Sequence, residues 1–194
     1  MKGGLNALRR NPLQEPGGYR EWEKNKKIYI FGIDVIKPDT VNETIGIISD
    51  VIEEFNLPLR ALNGNKTKIK DVPIVRNLIS NNTQEKFIDF SSMERELEKN
   101  PLYKGLLPYG LIILVNPEKY EFKKFPGDEE PAIYGCGSPV GLIVLRKFSK
   151  NAVRHEFGHM IGLGSHHNNC VMHYSCSIEK FCDKCREKIE KIWG

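Results

Sequence analysis

Residues 140–164 carry the sequence VGLIVLRKFSKNAVRHEFGHMIGLG, which predicts a strand followed at once by a helix. The first part, residues 140–148, is mostly apolar and rich in β-branched side chains, as expected of a buried strand. Ser149 belongs to the residue types that cap helix N-termini, and we expect the helix to cover residues 150–162. Glycines at its end supply the backbone freedom that terminates helices. A strand that leads into a helix predicts an α/β or α+β domain.

This predicted helix contains HEFGH at residues 155–159, an H-E-x-x-H pattern. Residues four apart lie on one helix face, one turn apart, so His155 and His159 can bind the same Zn²⁺. Glu156 lies beside them and can take a proton from a water molecule that the metal has acidified. Because such a short pattern also arises by chance on solvated helices, its meaning depends on the surrounding residues.

The residues that follow favour a metal site. Gly162 comes three positions after the second histidine and lets the chain turn back, so that a later residue can become a third ligand. A methionine follows at Met172, and H-E-x-x-H-x-x-G followed by Met is the metzincin arrangement. All five histidines lie within residues 155–173, and four of the five cysteines lie within residues 170–185. In a cytosolic protein, clustered cysteines indicate metal binding before disulfides.

The combination of HEFGHMIGLG, Cys170-x-Met172 and Cys182-x-x-Cys185 resembles the archaemetzincins, over about residues 133–185. The resemblance implies a catalytic zinc held by three histidines and a second, structural zinc held by four cysteines. It also implies that Glu156 is the general base and that Met172 packs beneath the zinc ligands.

The chain departs from the family pattern at two places. Position 165, where the family has its third histidine, is serine, and His166 and His167 follow directly. We expect His166 to be the third ligand of the catalytic zinc; His167 is the next candidate, and a zinc with only two protein ligands is the remaining alternative. The family cysteine after the third histidine is also absent. The structural zinc set is therefore expected to be Cys170, Cys176, Cys182 and Cys185, with His167 in place of Cys176 as the competing scheme.

Two single residues have simpler explanations beside the functional ones. Tyr174 resembles the tyrosine that some metzincins place near the zinc, where its phenol could stabilise a developing oxyanion. A partly exposed loop tyrosine is the slightly favoured explanation, so Tyr174 is not counted among the expected site residues. Cys136 lies outside the cysteine cluster and is expected in the core.

The rest of the chain predicts a metzincin-like α+β fold with a mixed, twisted sheet. Residues 1–26, punctuated by Gly and Pro, predict a flexible arm. Residues 27–194 form the catalytic domain, divided into 27–163 with the active-site helix and 164–194 with the structural zinc. Strands are predicted at 27–36, 57–62, 110–115 and 133–137. Helices are predicted from Asp39 or Thr40 to Phe55, at 93–99 after Ser91 or Ser92, and within 178–194. Residues 72–80 are ambiguous, and 118–131 are expected to be irregular.

Composition excludes several classes of protein. The net charge of +4 is too small and too evenly spread to indicate nucleic-acid binding. The apolar run at residues 109–115 is far too short to span a membrane. Residues 1–18 lack the apolar core of a signal peptide, so we expect a cytoplasmic protein. We also expect a monomer.

The sequence therefore predicts a zinc metallopeptidase that acts on a peptide or protein substrate, with an extended substrate pairing to an edge strand near residues 133–137. The alternative is a zinc-stabilised binding module that docks a protein partner. Glu156 argues against the alternative, because a purely structural zinc site needs no general base.

Overall fold

A computed structural model describes residues 27–34, 36–66, 71–100, 110–125, 132–138, 141–164, 168–173 and 178–194. Five α-helices and eight strands lie within these residues, together with a short 3₁₀ turn at Gly64–Lys66. The predicted arm at residues 1–26 lies outside them. The strands are β1 (Lys27–Ile33), β2 (Arg60–Asn63), β3 (Thr83–Gln84), β4 (Phe87–Ile88), β5 (Gly110–Val115), β6 (Glu121–Phe122), β7 (Gly135–Ser138) and β8 (Leu142–Leu145). The helices are α1 (Pro38–Glu54), α2 (Asp71–Asn81), α3 (Phe90–Lys99), α4 (Lys150–Met160) and α5 (Asp183–Trp193).

The main sheet has five strands in the order β2-β1-β5-β8-β7. The first four are parallel, and β7 is antiparallel to β8 and forms one edge. The parallel strands β5 and β8 are buried along their whole length, with the sequences GLIILV and LIVL. Continuous apolar runs of this kind are typical of parallel strands that helices cover on both faces. The mixed sheet and its helices confirm the predicted α+β class.

Alternating side chains of the sheet enter two different cores. Ile28, Ile112 and Ile143 face one core, which also contains buried residues of α1, α4 and α5. Phe31 and Ile113 face the other core, which contains buried residues of α2 and α3. The period-two alternation of a strand thus gives three layers, with the sheet in the middle. Helix α4 and the C-terminal residues share the first core, and this places the candidate site.

Several local predictions differ from the structure because caps depend on tertiary geometry. Helix α1 begins at Pro38, which occupies the first turn, and its N-cap Lys37 makes no side-chain bond, so the predicted cap at Asp39 or Thr40 is wrong. Helix α3 is capped by Asp89, whose carboxylate accepts a 2.9 Å bond from the Ser92 amide, rather than by Ser91 or Ser92. The ambiguous residues 72–80 lie in α2.

A polar cluster closes the carboxyl end of β1. The Tyr120 hydroxyl donates to Asp34 at 2.6 Å, and the Arg76 guanidinium donates to the same carboxylate at 3.1 Å. Tyr120, with help from the nearby Lys119 and Arg76, holds the pKa of Asp34 below its usual range despite partial burial. Burial and the Asp34 carboxylate raise the pKa of Tyr120 to about 12. The cluster ties the residue after β1 to α2 and to the residues just before β6.

The described residues contain no helix that is long and apolar enough to cross a membrane.

Candidate metal centre

Helix α4 carries the HEFGH sequence in its second half. It begins at Ser149, whose hydroxyl accepts a bond from the Ala152 amide at 3.3 Å, as the sequence predicts. The helix is wedged between the sheet and the C-terminal segment. His155 and Glu156 are therefore each only 5% exposed, although both are polar. Buried polar side chains of this kind need partners, and their partners define the site.

The two histidines converge through their Nε2 atoms, which lie 3.2 Å apart. The His155 Nδ1 lies 2.9 Å from the Val171 carbonyl oxygen, and the His159 Nδ1 lies 2.7 Å from the Leu163 carbonyl oxygen. A carbonyl oxygen can only accept, so each Nδ1 donates and carries the proton of the neutral ring. Each Nε2 then presents its lone pair toward the other ring.

This geometry fits a tetrahedral metal ion. Two zinc–nitrogen bonds at the usual length and angle place the nitrogens about 3.3 Å apart, close to the observed 3.2 Å. Burial lowers the pKa of His155, a shift only partly opposed by hydrogen bonds with the Val171 and His173 backbone. The ring is therefore neutral near pH 7, as a metal ligand must be.

Gly162 makes the hydrogen bond between the His159 Nδ1 and the Leu163 carbonyl possible. Its φ of 108° lies in the left-handed region, which an L side chain rarely adopts. The turn brings the Gly162 amide to the His159 carbonyl at 3.2 Å, and the Leu163 amide to the Gly158 carbonyl at 2.9 Å. It also places the Leu163 carbonyl against the His159 ring. The glycine that the sequence associated with a later ligand thus also orients the second histidine.

Glu156 lies where α4 approaches the edge strand β7. A Cβ added at Gly137 would lie 2.6 Å from the Glu156 carbonyl oxygen and 3.0 Å from its Oε2. A Cβ added at Gly135 would lie 3.0 Å from the Glu156 Cγ. Only glycines allow the strand to approach the helix this closely. The carboxylate therefore lies between α4 and an edge strand that presents backbone on that side.

Met172 packs against helix α4 at Gly158. It is fully buried, and a Cβ added at Gly158 would lie 2.4 Å from its sulfur and 3.3 Å from the Phe181 ring. The missing side chain of Gly158, between the two histidines in sequence, therefore makes room for the methionine. That Met172 forms a floor beneath bound zinc stays a prediction.

Three cysteines form a second cluster nearby. The sulfurs of Cys170, Cys182 and Cys185 all lie within 4.8 Å of one another, and this is the only group of three potential metal ligands among the described residues. The Cys170 and Cys185 sulfurs are 3.6 Å apart, close to the roughly 3.8 Å expected between two thiolates on a tetrahedral zinc. None of the described cysteines is in a disulfide. The cluster could therefore bind a metal ion.

The electrostatics of the cysteine cluster are uneven. Burial raises the pKa of Cys185 well above its usual range, and its hydrogen bonds with Cys170 and Cys182 act in the same direction. For Cys182, burial also acts upward, but hydrogen bonds from the Cys185 backbone and the neighbouring thiols outweigh it and lower its pKa. Cys182 is therefore the thiol that loses its proton most readily of these two.

A charged bridge connects the elements that carry the two clusters. Glu54, at the end of α1, accepts a bond from Arg154 of α4 at 2.5 Å and a second bond from Arg186 of α5. Arg154 is only 7% exposed, and its guanidinium lies 5.1 Å from the centre of the Phe181 ring. No sequence pattern indicates this bridge, because its partners lie 100 and 132 positions apart in the chain.

The remaining predicted ligands lie outside the described residues. His166, His167 and Cys176 belong to this group, as do Ser165 and Tyr174. Cys136 is buried in the core that contains α2 and α3, in agreement with its predicted role. The backbone carbonyls of Leu163 and Val171 are functional groups that the sequence alone could not reveal, because any residue type can supply them.

Comparison with known proteins adds two curated relatives. The chain is 38% identical to the archaemetzincin of Pyrococcus horikoshii over a match that covers 31% of this chain and 36% of the relative. It is 37% identical to the archaemetzincin of Nanoarchaeum equitans, over 27% of this chain and 36% of the relative. The chain thus spans about a third of the length of the curated relatives it matches. No protein-family model matches the chain, and no solved structure does. Over the matched share of its length the chain is similar to the archaemetzincins, and this likeness supports the relationship that its histidine and cysteine motifs indicate.

Proposed function

We propose that the protein is a zinc-dependent metallopeptidase of the metzincin type. The observation that carries the proposal is the pair of Nε2 atoms 3.2 Å apart, each on a ring whose Nδ1 is held by a backbone carbonyl. His155 and His159 would hold a catalytic zinc, and His166 is the proposed third ligand. Cys170, Cys182 and Cys185, with Cys176 or His167, would hold a structural zinc.

Glu156 is the proposed general base. A zinc ion at the histidine pair would acidify a water molecule and polarise a peptide carbonyl. The Glu156 carboxylate accepts the proton of the attacking water and later donates it to the leaving amine. The position of Glu156 favours this role. It directly follows the proposed ligand His155, yet among the described residues it does not form a group of three potential ligands with the two histidines.

The edge strand β7 is the proposed substrate-binding strand. An extended peptide can add to the edge of a sheet through main-chain hydrogen bonds. Gly135 and Gly137 let β7 pack directly against Glu156, since a Cβ at either position would collide with α4 or β8. A peptide aligned along β7 would then have its scissile bond beside the carboxylate. The similarity to the archaemetzincins supports the same reaction class.

The experiment compares the wild-type chain with Glu156→Gln on a broad peptide library, with metal content measured for both. The variant keeps the size of the side chain but cannot take up a proton. We expect it to retain its metal and fold while peptide hydrolysis falls by about 10²- to 10⁴-fold. Glu187→Gln, at an exposed position of α5, is the matched control and should leave hydrolysis unchanged.

Two results would count against the proposal. Equal hydrolysis by wild type and Glu156→Gln would remove Glu156 from the mechanism. If the zinc-loaded wild type cleaves no peptide, the chain is better described as a zinc-stabilised module that docks a protein partner.

A further inference from the structure

One short segment belongs to both clusters. Cys170 contributes its sulfur to the cysteine cluster, and the next residue, Val171, accepts the His155 Nδ1 hydrogen bond at 2.9 Å. Met172 follows and fills the space beside Gly158 of the helix that carries the histidines. Three consecutive residues thus contact the cysteine cluster, the ring of one histidine and the backbone between the two histidines.

The other side of this segment is held by the chain that carries the remaining cysteines. The Val171 amide donates to the Lys180 carbonyl at 2.8 Å, and the Cys182 amide donates to the Cys170 sulfur at 3.2 Å. The backbone of Val171 is therefore held by its N–H on the cysteine side and by its carbonyl on the histidine side. We expect a shift of the residues that carry the cysteines to move the carbonyl that orients His155.

This segment is held by burial in the first core and by its hydrogen bonds rather than by regular secondary structure. Between the end of α4 at Met160 and the start of α5 at Asp183, the described residues form only turns and bends, with no helix or strand. Such a segment depends on side-chain ties for its geometry, and a tetrahedral metal site is a strong tie, because its binding energy is folding energy. The buried Cys170 sulfur of this segment lies 3.6 Å from the buried Cys185 sulfur of α5, so a metal bound by both would tie the segment to that helix.

We infer that metal binding at the cysteine cluster sets the metal affinity of the histidine pair, through the Val171 carbonyl. The inference rests on the proposed function for the identity of the histidine pair as a metal site, and goes beyond it by coupling the two sites. When the cluster is closed around a metal, the carbonyl is held against Nδ1, and His155 keeps its proton there. When the cluster is open, the His155 ring can rotate, or its proton can move to Nε2. A proton on Nε2 would occupy the lone pair that binds the metal.

The first test measures Zn²⁺ binding to metal-free wild type and Cys182→Ser by isothermal titration calorimetry. The binding event of the histidine pair is identified as the one that His159→Ala abolishes. We expect Cys182→Ser to weaken this event by about 10- to 100-fold, the usual effect of losing an outer partner of a metal-bound histidine. Val75→Ala is the control, because this fully buried side chain lies in the other core, on a helix that carries none of the proposed ligands. It should leave the event unchanged.

The second test keeps every cysteine, so it does not depend on the folding of Cys182→Ser. In His159→Ala, one equivalent of Zn²⁺ should occupy the cysteine cluster. The His155 ring is then followed by ¹⁵N NMR with and without Zn²⁺. We expect zinc to shift His155 toward the tautomer with its proton on Nδ1.

The outcomes separate the coupling from the function on which it rests. A folded Cys182→Ser with unchanged affinity at the histidine pair, or a His155 spectrum that does not respond to bound zinc, would overturn the coupling and leave the peptidase proposal intact. A wild type with no binding event that His159→Ala abolishes would overturn both.

Discussion

The space at Gly158 gives a quantitative test of how the site is packed. Gly158→Ala would place a Cβ 2.4 Å from the Met172 sulfur and 3.3 Å from the Phe181 ring, so the methionine has to move. Overpacking of this kind costs about 1–3 kcal/mol. Alanine in place of glycine inside a helix returns about 1 kcal/mol. We therefore expect Gly158→Ala to lower the free energy of unfolding by about 0–2 kcal/mol.

A matched control isolates the packing cost. Gly46 lies inside helix α1, and a Cβ added there would meet nothing within 4 Å. Gly46→Ala should therefore raise the free energy of unfolding by about 1 kcal/mol. The difference between the two variants in free energy of unfolding equals the overpacking cost of about 1–3 kcal/mol. For a domain of this size, that corresponds to a difference of about 2–12 °C in Tm. Urea and thermal denaturation of both variants measure it.

Removal of the Met172 side chain completes a double-mutant cycle with Gly158→Ala. Met172→Ala alone should cost about 2–5 kcal/mol, because it leaves a cavity in the core. In the double variant the new methyl at Gly158 enters that cavity, so the effects should be non-additive by about 1–3 kcal/mol. If Gly158→Ala is as stable as Gly46→Ala, or if the effects of the two substitutions are additive, Met172 does not pack against Gly158 as described.

Two further predictions concern ionisable groups that are not themselves proposed metal ligands. Glu54→Gln should lower the free energy of unfolding by about 2–3 kcal/mol, because the nearly buried Arg154 loses its charged partner. The exposed neighbour Glu53→Gln should change it by less than about 0.5 kcal/mol in the same urea titration. Because the pKa of Tyr120 is raised in the folded state, its hydrogen bond to Asp34 contributes fully to the free energy of unfolding below about pH 10. This contribution is lost as the pH rises toward about 12. The stability difference between wild type and Tyr120→Phe should shrink between about pH 9 and pH 11.5; a constant difference would contradict the raised pKa.

Much of the framework could be predicted from local sequence. The apolar run at Gly110–Val115 and the strand that precedes α4 are recognisable because strands buried on both faces need continuous apolar residues. The positions of His155 and His159 on one helix face follow from the helical period alone. The Ser149 cap is also a local property, since the hydroxyl bonds to an amide three residues ahead.

Other elements became clear only in the fold. The apolar residues of helix α2 fit either a strand or a helix. The helical conformation is the one that buries Val75, Leu78 and Ile79 together in the second core. The two-residue strands β3 and β4 are too short for any periodicity to show. The turn between them contains Glu85 at a φ of 57°, a conformation that a non-glycine residue does not announce in sequence.

By itself, the sequence determined which side chains could serve as ligands, because ligand chemistry and helical or C-x-x-C spacing are local properties of residue type. Only the tertiary structure decided what orients and connects those ligands. The Val171 carbonyl lies against His155, Gly137 lies against Glu156, and Glu54 bridges two helices that lie 100 or more residues further along the chain. Backbone carbonyls have no residue identity, a missing Cβ matters only where another element approaches, and long-range ion pairs leave no periodic trace. Packing of the chain into layers is what brings these groups within contact distance.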